Sequence, residues 1–381
     1  MQVGKKSINN QTSGKFVKKC QLSRLTILFN YYMRKILVDL HRLGGNKYNG
    51  LYHFCEQLGR HLITAPDTGN ELFYYVPEKQ FNFFGPQVKY IKKRSIDKFY
   101  RFGTSQFDVW HIATTISWYR PFNRKTKIIF TIHDLNFLNE EENSASFKKK
   151  YLQLIQQRVD RAHHLTFISE FAKKQAQENL NLGNKPGTVI YNGCNIPTNL
   201  NFSEPVVKSQ RPFLFTIGQL HSRKNFHVLP ALLAGNEYEL VIAGLNDFPY
   251  TQKVLAEAKR HGVESRVKLI GAITDAEKFW YYKNCLAFVF PSIGEGFGLP
   301  VLEAMQFGKP VFLSTHTSLP EIGGDAAFYF NDFNAETMQA VFEKGMNDFR
   351  NNNGAVKVIA QASCFSWDKA AREYLQLYSA V

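Results

Sequence analysis

Residues 288–304 read Phe288-Val289-Phe290-Pro291-Ser292-Ile293-Gly294-Glu295-Gly296-Phe297-Gly298-Leu299-Pro300-Val301-Leu302-Glu303-Ala304, and the fold follows from how this stretch must run. The apolar run Leu286 to Phe290 has the length and composition of a fully buried strand. A loop with three glycines follows, and Pro300 fits the first turn of a helix, where its missing N–H costs nothing. Strand, glycine loop and helix start leave free amides pointing outward, and the helix dipole favours an anion there. Glu295 sits in the loop and Glu303 at the end of the helix's first turn. Carboxylates so placed suit the hydroxyls of a sugar or a ribose.

The two glutamates, seven residues between them, and the Glu-Gly-Phe-Gly-Leu-Pro loop resemble the signature of the family 4 retaining glycosyltransferases. The resemblance runs from about Met33 to the C-terminus, and Met33 is the expected initiator because relatives begin at this strand. It implies an α/β protein of the GT-B fold, with two Rossmann-like domains facing a cleft and a C-terminal helix crossing back to the N-terminal domain. The expected divisions are a basic tail (1–32), an acceptor-side domain (33–195), a linker (196–211), a nucleotide-sugar-binding domain (212–364) and the crossing helix (365–381). The implied reaction moves a hexose from a nucleotide sugar to a hydroxyl of a saccharide or lipid-linked saccharide, with retention and without a stable covalent intermediate. GDP-mannose is the lead donor, from the Arg223-Lys224-Asn225 segment, which resembles mannosyltransferase-like relatives of surface-polysaccharide synthesis. No cofactor and no metal are expected.

Outward from this centre the chain repeats strand-then-helix units. Met33 to Asp39 reads as an opening strand, followed by a loop holding Gly44, Gly45 and Gly50 and a helical pattern Leu51–Leu62. Glycines at the carboxyl end of a first strand let backbone approach a ligand, although no G-x-G-x-x-G pattern supports a dinucleotide. Lys127 to Leu135 is a strand whose end carries His133, where ligands of open α/β sheets gather. Ser169 is a plausible N-cap, and Asn192-Gly193 closes the half. A second unit opens at Pro212–Gly218; its loop brings Arg223 and Lys224, suited to a diphosphate as a fork of donors and a point charge. Many relatives carry Arg directly after the strand glycine, where this chain has Gln219, so Lys224 is the firmer contact. Strands ending in Gly244 and Gly271 follow, then Thr274-Asp275-Ala276-Glu277 as a capping box and Ser318 to Glu321 as a loop.

Under the resemblance His133, Glu295, Arg223 and Lys224 are the catalytic candidates. The donor would meet Gly218, Arg223, Lys224, Ala272, Ile273, Glu295, Gly296, Phe297, Gly298, Leu299 and Glu303, with Glu303 on the ribose. The acceptor side would be formed by Gly44, Gly45 and His133.

Composition narrows the rest. The chain of 381 residues, 44% hydrophobic, can bury two domain-sized cores. Five scattered cysteines show no pair spacing, which suggests reduced thiols rather than a disulfide framework or zinc site. No apolar run approaches the roughly 20 residues of a membrane span, and Leu25 to Tyr32 is too short and polar-flanked for a signal peptide. A cytoplasmic protein, peripheral on the inner face of the cytoplasmic membrane, is expected.

The net charge of +15 lies in one half: residues 1–195 carry 30 Lys and Arg against 14 Asp and Glu, the remainder 17 against 18. No nucleic-acid module is recognisable, so nucleic acid is not an expected partner. Val88, Ile91, Phe99 and Phe102 recur at near-helical spacing among six basic residues, which predicts a basic amphipathic helix over 88–102 able to lie on an anionic membrane. Two rival readings of the whole chain are a sugar-nucleotide epimerase of the same fold and a non-catalytic nucleotide-sugar-binding protein.

Overall fold

The computed structural model describes residues 33–381 apart from 48, 67–68, 100–103, 122, 141, 195–201 and 246–247. The expected tail and the first part of the expected linker lie outside the described residues. From the start the chain runs β1 (Arg34–Asp39), α1 (Gly50–Thr64), β2 (Asn70–Pro77), β3 (Lys89–Lys93), β4 (Val109–Ile112), β5 (Lys127–Ile132), α2 (Ala145–Arg161), β6 (His164–Phe167), α3 (Glu170–Asn179) and β7 (Gly187–Val189). These strands form one parallel sheet in the order β3-β2-β1-β4-β5-β6-β7.

The pattern then repeats with β8 (Phe213–Ile217), β9 (Glu239–Ala243), α4 (Phe248–Arg260), β10 (Val267–Gly271), α5 (Asp275–Asn284), β11 (Ala287–Phe290), α6 (Leu299–Gln306), β12 (Val311–Ser314), α7 (Leu319–Gly323) and β13 (Phe328–Phe330). The second sheet is also parallel, in the order β10-β9-β8-β11-β12-β13. Three helices end the chain: α8 (Ala335–Asn351), α9 (Gly354–Ser363) and α10 (Trp367–Ala380). Both sheets are Rossmann-like, and in each the strand order reverses beside the first strand, which opens a crevice at the carboxyl ends. β4, β9 and β11 are buried along their whole length, as central strands covered on both faces must be.

α10 crosses back onto the first sheet, as expected. Arg34 Nη1 donates to the carbonyls of Tyr378 and Val381 at 3.1 and 2.9 Å. His111 lies between Tyr378 Oη and Thr131 Oγ1, 2.7 Å from each, and stacks on Tyr374. Gly193 makes the crossing possible: a Cβ there would lie 1.9 Å from the backbone nitrogen of Trp367, at the start of α10.

The expected basic helix over 88–102 is not formed among its described residues, 88–99; the rest of it lies outside them. Lys89–Lys93 is β3, the edge of the first sheet in register with Phe73–Pro77, and Ser95–Lys98 is a 3-10 turn. Pairing with β2 outweighs a loose hydrophobic period, and lysines on an edge strand also discourage pairing with another chain. The turn is pinned by Asp97, whose Oδ2 accepts from Arg94 N–H and Tyr75 O–H, each at 2.9 Å. Ser318 to Glu321, expected as a loop, runs into the short helix α7 with Pro320 in its first turn.

Candidate active site

β11 ends at Phe290, and the glycine loop that follows is fastened on several sides. Ile293 N–H donates to Arg223 O at 2.8 Å, and Ser292 Oγ donates to Glu295 Oε1 at 2.6 Å. Gly298 closes the loop as the N-cap of α6 at φ 114°, a conformation that side chains rarely adopt, and Pro300 lies in the first turn. The loop also touches the other domain. A Cβ on Gly296 would stand 2.8 Å from the carbonyl oxygen of His133 and 2.7 Å from Asp134 Oδ2.

The loop after β8 supplies the cations. Lys224 is nearly buried and pairs with Glu295, Nζ to Oε1 2.5 Å, under a ceiling formed by the Phe290 ring. Gly218 leaves room for it, since a Cβ there would lie 3.2 Å from Lys224 Cε. Arg223 reaches across the cleft to Glu140, Nη1 to Oε1 3.2 Å, while its Nε is buried without a partner among the described residues. Beside it Ser222 Oγ donates to Glu142 Oε1 at 2.8 Å. Asn225 takes φ 58°, a left-handed position that asparagine tolerates, and turns the chain sharply from the cations into the buried Phe226–Leu233 segment.

Glu303, one turn into α6, is held by Lys278 Nζ at 3.0 Å and by the Tyr282 hydroxyl at 2.9 Å. Burial alone would lower the Lys278 pKa, but Glu303 and Asp275 outweigh it and hold the ammonium above the usual lysine range. Ala272 and Ile273 follow β10, two strands from β8 at the edge of the second sheet. Phe297 does not present its ring to the cleft: the side chain is buried against Phe365. Leu299 begins α6 beside it.

In the first domain His133 stands just past β5. Its Nε2 lies 2.9 Å from the carbonyl of Ala113, so Nε2 carries the proton and Nδ1 a lone pair. Burial pulls its pKa down to about 4, against the raising effect of that carbonyl, so the ring is neutral at pH 7. Gly44 and Gly45 lie exposed on the loop after β1, where Gly44 packs on Pro77.

The structure thus brings His133, Arg223, Lys224, Glu295 and Gly296 to one cleft. Sequence reasoning missed Asp134, Glu140, Thr317 and Glu321. Asp134 is pushed above the usual carboxylate range by desolvation, with the Asn136 amide and Arg223 pulling the other way. Only its place next to His133 could have marked it. Among the described residues, no three His, Cys, Asp or Glu side chains gather as a metal ion would require.

Residues 51–196 match the family model described as "Glycosyltransferase Family 4", and residues 198–357 match "Glycosyl transferases group 1". The chain belongs to the family 4 glycosyltransferases. Among relatives of this family member, O-antigen chain mannosyltransferase B of Escherichia coli is 26% identical over 282 residues, covering 69% of this chain and 72% of that protein. The serotype-specific mannosyltransferase WbdA of Escherichia coli is 30% identical over 270 residues; the match covers 64% of this chain and 32% of WbdA. The Anabaena protein HepE, solved in complex with UDP-glucose, superposes with a TM-score of 0.67 at 14% identity over 91% of this chain and all of that one, which shows the shared GT-B fold.

Lys224→Ala is expected to weaken nucleotide-sugar binding and slow transfer, by about 3 kcal/mol together. It also strands Glu295 as an unpaired, nearly buried charge, so the melting temperature should fall. The double variant Lys224→Ala/Glu295→Gln should regain stability without regaining donor affinity. Wild-type affinity in Lys224→Ala would remove the lysine from the site.

Proposed function

We propose that this glycosyltransferase moves a hexose, mannose from GDP-mannose first, onto a hydroxyl of a saccharide or lipid-linked saccharide, with retention, in cell-surface polysaccharide synthesis. The observation that carries the reading is the pair of cations at the cleft: Lys224 held by Glu295, and Arg223 with a buried Nε that has no acceptor among the described residues. A diphosphate supplies the missing acceptor and offers both cations a denser negative charge than either glutamate. The mannosyl donor is supported by the Arg223-Lys224-Asn225 segment and by the two mannosyltransferase relatives.

In this mechanism the acceptor oxygen bonds to the anomeric carbon as the bond from that carbon to the β-phosphate oxygen breaks. Negative charge gathers on the nucleoside diphosphate, where Lys224, Arg223 and the amides at the start of α6 stabilise it. No metal is assigned a part. The acceptor proton passes to the departing phosphate, because a histidine with a pKa near 4 is a weak base at pH 7. His133 instead orients a sugar hydroxyl, accepting its proton at Nδ1. Glu295 would steer the donor sugar and Glu303 the ribose.

We also place the enzyme on the cytoplasmic face of an anionic membrane. Among the described residues no helix is long and apolar enough to cross one. The first domain instead exposes Ile96 and Phe99, 62% and 79% accessible, beside the basic strand β3. Lys93 Nζ lies 5.3 Å from the centre of the Tyr119 ring, which joins this surface to the exposed Trp118. Near an anionic surface each Lys or Arg contributes about 1 kcal/mol.

A panel of nucleotide sugars, read by release of free nucleoside diphosphate with and without lipid-linked and soluble saccharides, tests the reaction. GDP-mannose consumed only when acceptor is present is expected, with activity surviving EDTA. Conversion of a nucleotide sugar without acceptor would favour an epimerase, and no turnover with any donor would sink the transferase reading. For the membrane, binding to anionic vesicles should exceed binding to neutral ones, fall with salt, and weaken in Ile96→Ser/Phe99→Ser; indifference to lipid charge would contradict it.

A further inference from the structure

The end of β12 and the segment after it make contacts that neither the fold nor the donor site requires. Ser314 Oγ donates to the Ser292 carbonyl, Thr317 Oγ1 accepts from Glu295 N–H at 3.2 Å, and Ser318 Oγ donates to the Phe297 carbonyl at 2.7 Å. Thr317 does this at φ 58°, a left-handed position that a β-branched residue avoids. Three hydroxyls therefore brace the glycine loop from one side, one of them at the cost of backbone strain.

Glu321 continues this brace into the other domain. Its Oε1 accepts from Glu170 N–H at 2.7 Å and from the Tyr191 hydroxyl at 2.6 Å, and its Oε2 accepts from Phe171 N–H at 3.2 Å. Those amides are the first two of α3, donors that helix geometry leaves without partners. The third, Ala172 N–H, goes to Ser169 Oγ at 3.0 Å, and the Ser169 proton goes to the Gly296 carbonyl at 2.8 Å. The first turn of α3 is thus capped by groups tied to the donor loop. A helix that capped itself would be complete with the cleft open. This one is complete only while the two domains touch.

We propose that Glu321 is a positioning residue: by capping α3 from the opposite domain it holds the face carrying His133 against the donor loop. Coupling runs from the loop through Thr317 and Ser318 to Glu321, and from there to α3 and Ser169. The kinetic part of the inference rests on the cleft being the transfer site. The contact itself does not.

Glu321→Ala, Glu321→Gln and Tyr191→Phe test it in the full chain by four measurements: hydrogen exchange at Glu170 and Phe171 without substrate, nucleoside diphosphate affinity, kcat and melting temperature. Glu321→Ala should speed exchange at both amides about tenfold or more and lower kcat by a similar factor, with nucleoside diphosphate affinity within about twofold. Glu321→Gln should recover part of kcat, since its amide oxygen still accepts from Glu170 N–H and Tyr191 O–H while its NH2 cannot accept from Phe171, and Tyr191→Phe should also lose less than Glu321→Ala. Unchanged exchange in Glu321→Ala would overturn the capping role. Wild-type kcat, or kcat, affinity and melting temperature falling together in Ala and Gln alike, would overturn positioning in favour of plain stabilisation. Because exchange is read without substrate, an inactive wild-type protein would sink the transferase reading while the capping role is still decided.

Discussion

The candidate site depends on one close approach. At Gly296 the donor loop of the second domain lies against the backbone of His133 and the side chain of Asp134 in the first, at distances that leave no room for a β-carbon. Everything the cleft is assigned to do, from steering a donor sugar with Glu295 to orienting a hydroxyl with His133, requires groups from both domains within one ligand's reach. Two Rossmann-like units and the crossing of α10 do not by themselves set that spacing. Glycine at this position, Ser169 bonded to its carbonyl and Glu321 on α3 do.

Electrostatics follow from the same geometry. Without a donor each cation meets a carboxylate, Lys224 with Glu295 within the domain and Arg223 with Glu140 across the cleft. A charge as nearly buried as that of Lys224 needs such a partner, whereas Arg223 is partly exposed. The first domain answers with a neutral group, because burial holds His133 uncharged.

Much of this was legible in the chain because it is local. The strands running up to Gly244 and Gly271, the Pro300 helix start, the Thr274–Glu277 capping box and the Ser169 N-cap each need only neighbouring residues, and each is found as read. What could not be read is non-local. Lys89–Lys93 carries a weak helical period, but pairing with Phe73–Pro77 some sixteen residues earlier decides it as a strand. Glu321 looked like a loop residue because its partners, Glu170, Phe171 and Tyr191, lie more than a hundred residues away. Glu140 and Asp134 acquire meaning only opposite Arg223 and Gly296. Phe297 sits inside the signature loop, yet its ring serves the core beside Phe365.

Turnover and nucleotide affinity of Gly296→Ala test the central claim most directly. The added methyl meets the His133 carbonyl, which cannot move without its strand, so the domains must part. The account requires kcat to fall by about two orders of magnitude while nucleoside diphosphate still binds the second domain within a few-fold of wild type. Wild-type turnover in Gly296→Ala would show that the close approach is incidental to the reaction.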